Sequence, residues 1–193
     1  LNAKVVTDLK VGAAFPTHHA LHVSAPGMLA MMPDTLDAIR SADVILSLDW
    51  VDVAGTFKAA GGNITAKVVQ VSIDHHLHNG WSMDYQGLPP VDVFIACEPH
   101  EAVPALLAAL GPSGPRAAAA PPREFPTPTG DKFTVDHLAA ALRRAVGKRP
   151  TSLTHVSLSW NGASWAFKHP LDYLGSDGGG GVAQCQHLGV GGG

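Results

Sequence analysis

Cysteine is scarce in this chain of 193 residues: Cys97 and Cys185 are the only two. Two isolated thiols support neither a disulfide framework nor a four-thiolate zinc site, which points to a reducing compartment, the cytoplasm by default. An excess of one charge is missing as well. Thirteen basic against 16 acidic residues give a formal charge of −3, and no Lys/Arg stripe marks a surface for nucleic acid or an anionic membrane. The nearest basic cluster, Arg143, Arg144, Lys148 and Arg149, reads as the charged end of a helix. No apolar run approaches the roughly 18 residues of a membrane span, and the opening "LNAKVVTDLK" lacks the pattern of a signal peptide. HExxH, CxxC, GxSxG and a GxGxxG following a strand are all absent, which removes the usual zinc-hydrolase, serine-hydrolase and dinucleotide signatures.

What is present is an alternation of apolar runs. Short β-branched stretches at residues 5–7, 43–48, 67–73 and 91–96 are mostly continuous rather than alternating, as in parallel strands covered on both faces. Helical periodicity lies between and after them. Residues 34–42 follow Pro33 and place Leu36 and Ile39 on one face. Residues 101–110 carry Val103, Leu106, Leu107 and Leu110 at i, i+3, i+4 and i+7, then stop at Gly111. The pattern predicts an α/β fold, a parallel-sheet three-layer sandwich over residues 1–111. Proline-rich residues 112–130, "PSGPRAAAAPPREFPTPTG", read as a linker. Beyond it Thr134 can cap a helix whose stripe is Val135, Leu138, Ala139, Leu142 and Val146. Asp136 lies in its first turn, Arg143 and Arg144 near its end, and Gly147 just past it. "TSLTHVSLSW" then reads as a strand. Residues 131–193 are too few for a comfortable independent core, so this second α/β unit is expected to be truncated, and the start at Leu1, not Met, suggests a longer parent.

Two histidine groups invite a metal reading: His18, His19 and His22, and His75, His76 and His78. Zinc needs three or four converging ligands with a supporting second shell, which spacing alone does not supply; they read as loop histidines, and no metal ligand is assigned. "VVQVSIDHHLH" stands apart, because Asp-His-His at the end of an apolar strand resembles the signature of the DHH phosphoesterases. In that family such residues help hold manganese, so Asp74 and His76 would be ligands, with Asp49 and Asp52 as further candidates. Otherwise Asp74 ends a buried strand and bonds locally in the following turn.

Four consecutive glycines in "HPLDYLGSDGGGGV", introduced by Ser176 and Asp177, pose the other question. Glycine this dense persists where backbone must turn sharply or approach a ligand closely. A glycine-rich flexible tail would carry the same composition.

Taken in order, several segments resemble the central domain of thiamine diphosphate-dependent enzymes of the acetolactate synthase and 2-keto acid decarboxylase group. "KVVTDLKVGAAFPTHHALHV" looks like that domain's strand, turn and FP..HP segment, and "APGML" stands at its Gly-Met-rich turn. "IRSADVILSLDW" and "AKVVQVSID" are similar to two of its strands, and "FKHPLDYLGSDGGGGV" to the start of the diphosphate-binding domain. The resemblance implies a Rossmann-like central domain followed by the beginning of a second domain. It implies thiamine diphosphate near Ser176, Gly178, Gly179 and Gly180, where missing Cβ atoms would let backbone N–H groups reach anionic oxygens. It further implies Mg2+ in a full-length parent, a 2-keto acid or related acyl substrate, and a homodimer or homotetramer. After Val182 the sequence departs from the family with "AQCQHLGVGGG". The family's activating glutamate and magnesium motif belong to domains outside residues 1–193, so no catalytic residue is assigned and no turnover is expected of this chain alone. Some relatives bind FAD in the central domain, but "LDWVDVAG" lacks their arginine-rich continuation, and flavin is not expected. The alternatives are a DHH-type phosphoesterase and a noncatalytic α/β binding module.

Overall fold

A computed structural model describes residues 2–27, 31–74, 87–112, 114, 124–154, 156, 159–160 and 162–175. The elements run α1 (Pro33–Arg40), β1 (Val44–Leu48), α2 (Val53–Ala59), β2 (Lys67–Val71), β3 (Val93–Ile95), α3 (Pro99–Leu110) and α4 (Val135–Val146), followed by single turns of tighter helix at Gly162–Ser164 and Pro170–Asp172. They fall into two compact units. The described residues of Pro33–Arg116 form one, and those of Asn2–Met32 with Ala117–Gly193 form the other.

The first unit is a mixed α/β structure built on a three-stranded sheet in the order β1-β2-β3, parallel throughout. Val44 pairs with Lys67 and Leu48 with Val71, and Val69 and Val71 pair in turn with Val93 and Ile95. Three of the strands expected from sequence are thus present, slightly shorter than read. Parallel neighbours need a crossover, and between β1 and β2 it is α2, which buries Val53, Ala54 and Phe57. The sequence reading missed α2. Its signals were Asp52 as N-cap and apolar residues at 53, 54, 57 and 60, but at seven residues it is shorter than most helices. Burial departs from expectation too. Continuous apolar strands suit a sheet covered on both faces, yet Val44, Leu46 and Leu48 on one face of β1 are exposed, as are all three residues of β3. On α3, Val103 and Leu106 are half-buried while Leu107 and Leu110 are exposed, so only half of the expected stripe packs.

The second unit gathers Leu9, Ala139, Leu153, Val156, Trp160, Trp165, Phe167 and Tyr173 into one core, with Val135, Leu142 and Val146 of α4 against it. Phe167 and Tyr173 stack with centroids 5.2 Å apart, and the Tyr173 hydroxyl donates to the Leu9 carbonyl at 2.7 Å, satisfying the polar end of a fully buried ring. Thr17 and Phe167 exchange bonds across 150 positions: Thr17 N–H donates to the Phe167 carbonyl at 2.8 Å, and Phe167 N–H to Thr17 Oγ1 at 2.9 Å. Gly12 and Gly175 let these segments close up. A Cβ on Gly12 would lie 3.1 Å from the Tyr173 carbonyl oxygen, and Gly175 has φ +84° with backbone of residues 11 and 12 alongside. Among the described residues, two expected strands appear as single parallel bridges, Val5 with His22 and Leu153 with Tyr173. Leu153 and Val156 both enter the core instead, which the alternating sides of a straight strand would not allow.

Candidate functional site

Parallel strands end together, and in open α/β sheets ligands bind outside their carboxyl ends. A cleft of about 210 Å³ lies at that edge of β1 and β2, lined among others by Asp49, Trp50, Asp52, Gln70, Ser72 and Asp74. Each residue is set there by the local chain. Asp49 leaves β1 in the left-handed region, φ +53°, which Asp tolerates better than most non-glycine residues. Its N–H still donates to the Val71 carbonyl at 2.8 Å, so the turn begins only after the last ladder bond.

The rim is held by hydrogen bonds from one strand end to the next. Ser72 Oγ donates to Asp49 Oδ1 at 2.7 Å and accepts from the Asp74 N–H at 3.0 Å, while Ser72 N–H donates to the Ile95 carbonyl at 3.2 Å. The serine hydroxyl is therefore engaged as donor and acceptor within the fold, and it ties the end of β2 to the turn that follows β1. Asp52 caps α2, Oδ1 accepting from Gly55 N–H at 2.8 Å. A side chain at position 55 would overlap that carboxylate, so the glycine there is what admits the cap. Trp50 Nε1 donates to Thr56 Oγ1 at 2.8 Å, which fixes the plane of the indole.

Of the residues singled out from sequence, Asp49, Asp52 and Asp74 come together in this cleft. His75, His76 and His78 lie outside the described residues, as do Ser176, Gly178, Gly179, Gly180 and Cys185. Cys97 is a half-buried free thiol. The first histidine group divides: His22 is buried, its Nε2 at 2.8 Å from Thr7 Oγ1, while His18 and His19 are exposed and His19 Nδ1 accepts from Leu21 N–H at 3.1 Å. Among the described residues no three His, Cys, Asp or Glu side chains are grouped so as to hold a metal ion. Gln70 was not anticipated, because inside "KVVQV" it is one polar residue in an apolar strand and its direction depends on the register.

Among the described residues the cleft is lined by three carboxylates and by no lysine or arginine. A diphosphate brought there would meet like charge with no basic side chain of the described lining to offset it, so the described lining does not fit the anionic half of thiamine diphosphate or of a flavin dinucleotide. Also among the described residues, no helix is long and apolar enough to cross a membrane. Comparison of the chain with protein-family models, with curated proteins and with solved structures found no match.

Proposed function

We propose that the chain is a piece of a thiamine diphosphate-dependent enzyme of the acetolactate synthase and 2-keto acid decarboxylase group, working on a 2-keto acid or related acyl donor. The observation that carries the reading is the strand arrangement. "DVILSL", "KVVQV" and "VFI" form adjacent parallel strands in chain order, with a helix between the first two. This supports assigning the unit around them to the Rossmann-like central domain that the sequence motifs resemble. On this reading the three-layer sandwich, a cytoplasmic location and a homodimeric or homotetrameric parent follow from the family. Thiamine diphosphate, when bound with Mg2+, supplies a carbanion-forming ring that accepts the electrons released on cleavage beside the carbonyl. The part assigned to this chain is binding. Ser176, Gly178, Gly179 and Gly180 would place backbone N–H groups against the cofactor's anionic oxygens, where a Cβ would intrude.

Without the partner domain and magnesium, the isolated chain is expected to show no saturable thiamine diphosphate binding below about 1 mM, roughly 4 kcal/mol of binding free energy. In the full-length parent, Gly179→Val is expected to abolish cofactor binding while leaving the fold intact. Normal cofactor affinity and turnover of that variant would reduce the glycine run to a connector.

A second reading has one observation in its favour: Asp49, Asp52 and Asp74 share one cleft, as the DHH phosphoesterase reading requires of its candidate ligands. Manganese titration followed by calorimetry separates the two. Tight stoichiometric binding lost in Asp74→Ala or His76→Ala establishes the phosphoesterase reading, and surface-level binding indifferent to both variants removes it.

A further inference from the structure

We draw no further inference here: the strongest candidate, the apolar sheet face on which Val44, Leu46 and Leu48 of β1 lie exposed in register with Val93 and Ile95 of β3, carries nothing because nothing in the structure of the described residues shows what covers it.

Discussion

Two helices of twelve residues each, α3 ("PHEAVPALLAAL") and α4 ("VDHLAAALRRAV"), have similar apolar content and opposite fates. α4 buries Ala139 completely and sets Val135, Leu142 and Val146 against an aromatic core, leaving Leu138 of its stripe 48% exposed; α3 buries no residue fully, with Val103 and Leu106 half-buried. The difference lies in how each is anchored. At the start of α4, Thr134 N–H donates to His137 Nδ1 at 3.3 Å, with Thr134 Oγ1 at 2.8 Å from the same nitrogen. Along its length Asp136 accepts from Ser164 Oγ at 2.6 Å, Arg143 donates to the Ser164 carbonyl, and the guanidinium lies 4.1 Å from the centroid of Phe125. α3 begins at Glu98 without a side-chain cap and carries Pro104 inside it, which removes one ladder bond and crowds the preceding turn. An apolar stripe becomes a core only where the ends and flanks of the helix are held against something.

Mutations can break or sharpen that contrast, and the largest effect is expected at the centre of the core that α4 faces. Tyr173→Ala removes a ring 1% exposed and orphans the Leu9 carbonyl, and should cost about 3–5 kcal/mol in urea unfolding read by Trp160 and Trp165 fluorescence. Thr134→Ala, which removes the side chain at the head of α4, should cost about 0.5–2 kcal/mol by the same measurement. A change of opposite sign is expected at Asp8. Burial raises its carboxyl pKa, partly offset by hydrogen bonds and attraction from Lys10, so the folded state holds more protons than the unfolded one. Its contribution to stability therefore falls as pH rises from the unfolded value of about 4 through the higher folded value. Asp8→Asn should be more stable than the parent at neutral pH and should flatten that slope, while the bond from Lys10 N–H, 3.0 Å long to Oδ1, can be kept by the amide oxygen. The smallest effect belongs to α3: Leu107→Gln, at a site 63% exposed, should stay within about 0.5 kcal/mol. A cost there comparable with that of Tyr173→Ala would mean that α3 is packed after all and would end the comparison.

Local pattern made the repeating elements legible. The runs at 43–48 and 67–73, the helix after Thr134 and its stop at Gly147 are written in nearest-neighbour chemistry: β-branching, capping, periodicity and a glycine with φ +60°. α2 was not read at all, because a Gly at position 55 hides a helix start that depends on the Asp52 carboxylate occupying the vacated space. The candidate site was half legible. Asp49, Asp52 and Asp74 could be picked out by type and by their place after strands, but Gln70 could not, since only the pairing of β1 with β2 brings it beside that edge.

By itself, then, the sequence determined the strand character of residues 43–48, 67–73 and 91–96, the helices that follow Pro33 and Thr134, and the parallel α/β character of residues 43–95. Those properties depend on residues within a few positions of one another, or on composition. Tertiary structure alone decided that Thr17 bonds to Phe167 and Leu9 to Tyr173, that among the described residues Val5 and Leu153 keep only a bridge each, and that one apolar helix faces a core while the other buries no residue fully. The reason is physical. A hydrogen bond across 150 residues is chosen by the fit of two surfaces, and burial is a property of what lies opposite, neither of which any local run of side chains contains.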